Sequence, residues 1–204
     1  MASSLTRSTV FVGGSRHSSN LPAAVKIRLT NIITNGHRVI IGDASGADAA
    51  AQKHFLDSSY GDVTVFCSGR YPRNNLGHWP VHPVTPPQGA TGFGFYAAKD
   101  RAMALAADFG FMIWDGSSAG TVLNVLRLVR AQKIAVLFNV PQNTIINVKS
   151  PAQWDEFLLG CSDTLRRDLR DRATAEEWAP GETRMRQTEL PGGGPRVKGL
   201  KGVL

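Results

Sequence analysis

The sequence predicts an α/β fold, namely a Rossmann-like, doubly wound and mainly parallel sheet with helices on both faces, followed by C-terminal helices. Two observations support this prediction. Short apolar segments rich in Val, Ile or Phe alternate along the chain with longer segments of helical character. Three of the apolar segments lead directly into glycine-rich turns, which begin at Gly13, Gly42 and Gly116. In folds of this class, ligands bind beyond the carboxyl ends of the strands, where such turns lie.

Each of the five short apolar segments predicts one strand. They lie at residues 8–13, 37–42, 62–67, 109–114 and 133–138. Because each is short and apolar, we expect strands that are buried on both faces of the sheet. Helices are predicted in the intervening segments, at residues 21–35, 47–57, 96–107 and 119–131. In the last of these helices, Val122, Val125 and Val129 recur at helical spacing, which indicates a stripe that faces the core.

By composition the chain divides into three parts. Residues 1–148 contain the alternating elements and form the predicted nucleotide-binding domain, which includes a long loop at 68–96. A helical extension is predicted at 149–179, because Ser150 is a good N-cap residue and proline follows it at the first helical position. Residues 180–204 are rich in glycine and proline, and we expect a flexible tail there.

The net charge of +7 is unevenly distributed. Residues 1–150 contain 14 Lys and Arg against 7 Asp and no Glu, whereas residues 151–204 contain 9 residues of each sign. The positive excess therefore accompanies the glycine turns and suits an anionic ligand. A helix predicted at 163–178 carries interleaved Arg and Asp residues, which is typical of a solvated face rather than a nucleic-acid groove.

Other classes of protein are not favoured. No apolar run approaches the length of a membrane span, and the N-terminal residues lack the apolar core of a signal peptide. Cys67 and Cys161 are isolated, with neither metal-ligand nor disulfide spacing. His78 and His82 lie four residues apart, but Pro80 separates them and no further ligand is near. We therefore expect a cytoplasmic protein with no membrane partner, no metal and no cofactor.

The glycine turns supply most of the candidate ligand-binding residues. Glycine lets the backbone approach a ligand closely, and a helix N-terminus offers unpaired N–H groups and a partial positive charge. The candidates in the turns are Gly13, Gly14, Ser15, Arg16, Asp43, Ser45, Gly46, Asp115, Gly116, Ser117, Ser118, Gly120 and Thr121. We expect Gly14, Ser15, Gly46, Gly120 and Thr121 to line one cavity for a nucleotide or nucleotide-derived phosphorylated ligand. The alternative is that these glycines serve only the turns.

The loop at 68–96 adds three candidates, Arg73, Asn75 and Trp79. Long loops inside a compact domain are commonly functional covers. Arginine, asparagine and tryptophan together suit a lid that stacks on a base and pairs with phosphate. A surface loop or an oligomer contact is the alternative.

Four segments resemble the SLOG superfamily. They are Gly13-Gly14-Ser15-Arg16, Gly42-Asp43-Ala44-Ser45-Gly46-Ala47-Asp48, Lys99-Asp100-Arg101-Ala102-Met103 and Gly116-Ser117-Ser118-Ala119-Gly120-Thr121. This superfamily unites the lysine-decarboxylase-like phosphoribohydrolases, the DNA-processing proteins and the YpsA-like proteins. The resemblance covers residues 8–140 and implies a Rossmann-like domain that binds nucleotides or ligands derived from them.

The chain departs from the phosphoribohydrolases at two positions. Their arginine corresponds here to Lys99, and the glutamate of their glycine-rich segment corresponds to Asn124. An amide cannot act as the carboxylate of N-glycosidic hydrolysis, and lysine lacks the two-pronged grip of arginine on phosphate. If the chain is an enzyme, the catalytic candidates are Asp48, Lys99 and Asp100, while Asn124 joins the ligand-binding set.

Three functions therefore remain open. We favour a protein that binds a nucleotide or nucleotide-derived molecule, as a sensor or binding protein. The alternative is a nucleoside-monophosphate N-glycosidase that uses an aspartate. Single-stranded nucleic-acid binding is the second alternative, supported by the positive charge alone and not favoured. We also expect a homodimer, because Leu123, Val125 and Leu128 point in different directions on the 119–131 helix.

Overall fold

A computed structural model of the 204-residue chain describes residues 7–178. Seven strands and six helices are found in this part of the chain. In chain order they are β1 (Thr9–Gly14), α1 (Ala23–Thr34), β2 (Arg38–Gly42), α2 (Ala47–Asp57), β3 (Val63–Ser68), β4 (Val81–Val84), α3 (Gly92–Ala106), β5 (Phe109–Trp114), α4 (Ala119–Arg130), β6 (Ile134–Asn139), β7 (Thr144–Val148), α5 (Pro151–Leu159) and α6 (Asp163–Arg172).

All seven strands form one sheet in the order β4-β3-β2-β1-β5-β6-β7. Every neighbouring pair is parallel except β6 and β7. The predicted Rossmann-like fold class is confirmed. Strand order reverses between β1 and β5, and this switch point opens a crevice at the carboxyl edge of the sheet.

The two edge strands were not predicted from the sequence. In β4, Val81, His82 and Pro83 are exposed, and proline cannot donate a hydrogen bond to a further strand. In β7, only Val148 is buried. β4 contains His82 and Pro83, and β7 is a five-residue strand that is mostly exposed, so neither forms the long buried apolar run of the five central strands.

Helices cover both faces of the sheet. One core cluster joins α1 and α2 to the central strands through Val25, Leu29, Ala51 and Phe55. On the opposite face, α3 and α4 pack against each other, and α4 packs against β5 and β6. This arrangement places the N-termini of α2 and α4 at the carboxyl edge of the sheet.

Helix α4 is buried on nearly all sides, because α5 and α6 pack against it from within the chain. Leu123, Val125, Leu126 and Leu128 are each completely buried. The apolar faces that suggested a second subunit are thus covered internally, and the homodimer stays a prediction without this support.

The C-terminal extension begins as expected. The Ser150 hydroxyl caps α5 by accepting a hydrogen bond from the backbone N–H of Gln153 at 3.3 Å. The charged helix is shorter than predicted, since α6 ends at Arg172 and the first compact unit ends at Ala173. The predicted tail at 180–204 lies outside the described residues. None of the helices in residues 7–178 combines the length and the apolar character needed to cross a lipid bilayer.

Candidate functional site

The three glycine-rich turns meet at the carboxyl edge of the sheet. The backbone N–H of Ser15, after β1, donates to the carbonyl oxygen of Ile113 in β5 at 2.9 Å. The backbone N–H of Ala47, at the start of α2, donates to the carbonyl oxygen of Ser15 at 2.9 Å. The hydroxyls of Ser15 and Ser118 lie 2.8 Å apart. Turns that are about 30 and 70 residues apart in the chain therefore form one surface.

The glycines of these turns have different roles. A Cβ on Gly14 would collide with the carbonyl oxygen of Ile113, and one on Gly46 would collide with the backbone of Arg16. These two glycines are required by close packing, and Gly46 also has a φ of +75°. In contrast, a Cβ on Gly120 would meet only the Phe93 ring, at 3.6 Å. Gly120 therefore leaves space open in the first turn of α4.

A cavity of about 850 Å³ lies between the turns after β1 and β5, at the switch point of the sheet. This volume is in the range of sites for small molecules and cofactors. Thirteen of the predicted site residues line it: Gly13, Gly14, Ser15, Arg16, Asp48, Arg73, Lys99, Asp100, Ser117, Ser118, Gly120, Thr121 and Asn124.

Seven predicted residues do not line this cavity: Asp43, Ser45, Gly46, Asn75, Trp79, Asp115 and Gly116. Asn75 and Trp79 have structural roles and do not form a lid over the cavity. The side chain of Asn75 bonds both backbone groups of Trp79, and the indole of Trp79 is buried in the core with its N–H donating to the carbonyl oxygen of Tyr60 at 3.1 Å. Of the three lid candidates in the loop, only Arg73 reaches the cavity.

Asp43 does not line the cavity itself but holds Arg73, which does. Its carboxylate accepts two hydrogen bonds from the guanidinium of Arg73, at 3.0 and 2.7 Å, and one from the backbone N–H of Arg73 at 3.0 Å. Burial alone would raise the pKa of Asp43, but these hydrogen bonds and the charge of Lys99 hold it below its usual range. Asp43 thus fixes Arg73 at the cavity wall. Ser45, in the same turn, is exposed.

A buried charge cluster forms the floor of the cavity. Lys99 is 4% exposed, and its Nζ donates to Oδ1 of Asp100 at 2.6 Å and lies 3.9 Å from Oδ1 of Asp43. Burial opposes its charge, but Asp100, Asp48 and Asp43 outweigh burial and raise the pKa of Lys99 above its usual value. Lys99 and Asp100 are therefore cavity residues rather than a simple surface pair.

Asp48 is the acidic group in this cluster with an unusual protonation state. It does not cap α2, whose N-cap is Gly46; instead, its Oδ2 accepts a hydrogen bond from the backbone N–H of Ala44 at 3.3 Å. Burial raises the pKa of Asp48 to about 6, with Lys99 opposing this rise and Asp100 adding to it. The side chain therefore holds its proton at weakly acidic pH.

Asn124 is placed on the cavity wall with its amide fixed. The residue is 6% exposed, and its Oδ1 accepts a hydrogen bond from Nη1 of Arg127 at 2.7 Å. The same Nη1 lies 3.9 Å from Oδ2 of Asp100. The position that the SLOG resemblance matches to the phosphoribohydrolase glutamate is thus part of the wall, and it presents a neutral amide.

Asp115 organises the turn before α4. Its carboxylate accepts hydrogen bonds from the hydroxyls of Ser15 and Ser118 and from the backbone N–H groups of Ser117 and Ser118, at 2.5 to 3.0 Å. Burial alone would raise the pKa of Asp115, but these hydrogen bonds lower it far below its usual range. Asp115 therefore links the turns after β1 and β5.

Thr121 differs from its neighbours in having an unused hydroxyl. It lines the cavity in the first turn of α4 and is 3% exposed. Its Oγ1 is buried and has no hydrogen-bond partner within residues 7–178. Because a buried polar atom is usually paired, the unpaired hydroxyl makes Thr121 a candidate contact for a ligand in the cavity.

Sequence reasoning missed the aromatic and C-terminal parts of the cavity. The ring of Tyr96 lies beneath two guanidinium groups, those of Arg73 at 4.2 Å and Arg16 at 5.3 Å from its centroid. The ring of Phe93 lies 5.4 Å from the guanidinium of Arg172. Helix α6 lines the cavity through Thr164, Asp168 and Arg172. The spacing of four residues places these three on one face, which was the only available signal.

No protein-family model matches this chain, and no curated protein matches it. Among solved structures, the chain is similar to DNA processing protein A from Helicobacter pylori, which is described as having a unique single-stranded DNA binding mode. The two chains are 18% identical, and the similarity covers 81% of this chain and 80% of that one with a TM-score of 0.51. At this level of identity, the similarity shows a shared Rossmann-like fold.

Proposed function

We propose that the 850 Å³ cavity binds a nucleotide or nucleotide-derived molecule through its phosphate, and that the chain acts as a binding protein or sensor. The first turn of α4 is the observation that carries this proposal. Gly120 leaves space there, the hydroxyl of Thr121 has no partner in the described part of the chain, and the helix N-terminus attracts an anion. Threonine has two accessible χ1 rotamers in a helix, so its hydroxyl can turn to meet a phosphate oxygen.

The remaining walls suit the other parts of a nucleotide. Arg16, Arg73 and Arg172 bring positive charge to the cavity, and Lys99 adds a buried ammonium group. The rings of Phe93 and Tyr96 offer surfaces on which a base can stack. Arg73 is paired with Asp43, Lys99 with Asp100 and Arg172 with Asp168. Arg16, whose guanidinium lies against the Tyr96 ring, is therefore the cation of the cavity that is best placed to meet an anionic ligand.

Asn124 supports binding over hydrolysis. A retaining or inverting glycosidase needs two carboxyl groups that flank the scissile bond. The amide of Asn124 is hydrogen-bonded to Arg127, and it supplies no negative charge at this point of the wall. The N-glycosidase alternative would rely on the aspartates that line the cavity, namely Asp48 and Asp100, or Asp168 from α6.

Gly120→Val tests this proposal. Its side chain would enter the space beside Phe93, and we expect nucleoside-monophosphate affinity to fall more than about tenfold, which is ~1.4 kcal/mol. Gly94→Val is the matched control, because Gly94 also lies in a helix and a Cβ there meets nothing within 4 Å. Isothermal titration calorimetry should show full affinity in the control. Equal affinity in both variants and the wild type would contradict the proposal.

Single-stranded DNA binding is a second candidate, supported by the similarity to DNA processing protein A and by one surface feature. The loop after β3 carries Tyr71, which is 71% exposed, with the guanidinium of Arg70 at 5.1 Å from its ring centroid. Exposed aromatic rings beside arginines stack with bases and contact the backbone of a single strand. Arg73, in the same loop, extends this surface to the cavity.

Oligonucleotides of increasing length separate the two candidates. If DNA is the ligand, affinity should rise with length, fall steeply with salt and drop in Tyr71→Ala, because each phosphate contact releases counterions. If a free nucleotide is the ligand, a nucleoside monophosphate should bind as tightly as an oligonucleotide, with little salt dependence. Tyr71→Ala should then leave the affinity unchanged.

A further inference from the structure

A second cavity, of about 770 Å³, lies on the other side of the turn before α4. Its walls come from the end of β5, the turn between β6 and β7, helix α5 and the start of α6. Ser117 lines both cavities, so the turn after β5 is their common wall. The helical extension beyond residue 148, which the SLOG resemblance does not cover, builds much of this second cavity.

The charge of this cavity is opposite to that of the first. Its lining contains no Lys, Arg or His. Two acidic residues line it, Glu156 and Asp115, although the Asp115 carboxylate is hydrogen-bonded within the turn before α4. The first cavity has four cationic side chains, those of Arg16, Arg73, Lys99 and Arg172. No cationic side chain of the lining could pair with a phosphate group, which favours a ligand without phosphate.

Two aromatic rings and several amides define the chemistry of the cavity. The rings of Trp114 and Phe157 pack edge to face, with centroids 5.9 Å apart. Trp114 is 6% exposed, and its buried indole N–H has no acceptor within residues 7–178. Such an unpaired donor costs about 1–3 kcal/mol, which an acceptor on a ligand would offset.

The amide side chains of the lining are Asn139, Gln142, Asn147 and Gln153. Asn139 is held in place, because its amide donates to Oε1 of Gln142 at 3.0 Å and accepts from the backbone N–H of Gln142 at 3.4 Å. A primary amide has two N–H donors and an oxygen with two acceptor sites, so groups remain beyond these hydrogen bonds that match the edge of a nucleobase. Aromatic rings supply the stacking surface for such a base.

We infer that the second cavity is a binding site for an uncharged, planar nitrogen heterocycle of the nucleobase class that carries no phosphate. The inference does not depend on the function proposed for the first cavity. It follows from the cation-free lining, the unpaired indole N–H and the amides.

The test uses the full chain and a panel of free nucleobases, each with its nucleoside monophosphate as the comparison ligand. Gly160→Leu adds a side chain to the lining of the second cavity, and the position tolerates one because its φ is −76° and a Cβ would lie 3.5 Å from the carbonyl oxygen of Phe157. We expect one free base to bind the wild type, and its affinity to fall more than tenfold in Gly160→Leu. Gly120→Val, which fills the first cavity, should leave the affinity for the base unchanged.

Nuclear magnetic resonance gives a second readout, in which the ligand is added to the wild type itself. The indole N–H signal of Trp114, identified by its loss in Trp114→Phe, should shift when the base is added to the wild type. The inference is overturned if no base in the panel binds, if the Trp114 signal stays in place, or if the monophosphate displaces the base competitively. Because the first cavity is probed by a separate variant, failure here leaves the proposed function standing.

Discussion

Thr121→Val should change stability and ligand affinity in opposite directions. Valine has nearly the same shape as threonine and removes only the hydroxyl, which is buried and unpaired in the described part of the chain. Leaving a polar group buried without a partner costs about 1–3 kcal/mol, whereas an apolar group of the same shape does not incur this cost. The free protein should therefore be unchanged or more stable, by up to about 1 kcal/mol, which raises the Tm by roughly 2–4 °C for a chain of this size.

Under the proposed function, the same substitution removes a hydrogen bond to the phosphate. Hydrogen bonds to charged groups contribute about 1.5–3 kcal/mol, so nucleoside-monophosphate affinity should fall about tenfold or more. Thermal unfolding without ligand and calorimetric titration with ligand measure the two effects. Thr64→Val is the control, since Thr64 lies in β3 away from the cavity and its loss should not alter affinity. A variant with a lower Tm and unchanged affinity would refute the role assigned to Thr121.

Two further predictions concern the buried acidic and amide groups. The folded-state pKa of Asp48 is raised from 3.8 to about 6, so the folded chain holds an extra proton between these values, and ionising Asp48 destabilises the fold as pH rises through this window. Relative to Asp48→Asn, the free energy of unfolding of the wild type should fall by up to about 3 kcal/mol between pH 4 and pH 7, measured by urea unfolding; parallel pH profiles would contradict the burial of an ionisable Asp48. Wild type should release no free base from nucleoside monophosphates, and Asn124→Glu, which restores a carboxylate to the cavity wall, should gain this activity in a chromatographic assay. Release by the wild type at an enzymatic rate would contradict the binding account and would require one of the aspartates that line the cavity to act in catalysis.

The central strands could be predicted from the sequence because a strand that is buried on both faces is a continuous run of apolar residues. Strands β1, β2, β3, β5 and β6 are continuous apolar segments, and each lies within two residues of its predicted bounds. The edge strands lack this signature, since an edge strand needs apolar residues on fewer sides. The positions of the turns followed from the same pattern, because parallel strands bring their carboxyl ends to one edge.

The candidate site could be predicted only in part, because residue type does not reveal whether a side chain faces the cavity or stabilises the fold around it. Trp79 has the chemistry of a stacking residue, but it fills the core and holds the chain through Asn75. Asp43 and Asp115 have the chemistry of ribose contacts, but they fix Arg73 and the turn before α4. Hydrogen bonds between residues that are distant in the chain decide these roles, and spacing does not encode them.

Helix α6 shows the same limit. Its interleaved charges predicted a solvated face, but Asp168 and Arg172 line the cavity beside Phe93. Spacing identifies residues that share a face, whereas the element that the face meets depends on tertiary packing. Helix α6 reaches the cavity because it packs against α4, and this contact between distant segments is not encoded in the spacing of its charges.

A crystal structure of the full chain soaked with a nucleoside monophosphate is the most direct test of the central claim, that the cavity binds a nucleotide through its phosphate at α4. The account predicts phosphate oxygens within hydrogen-bonding distance of the backbone N–H groups around Gly120 and of the Thr121 hydroxyl, with the base against Phe93 or Tyr96. A nucleotide bound along Arg70 and Tyr71 with the α4 turn unoccupied, or no bound nucleotide at millimolar concentration, would contradict it.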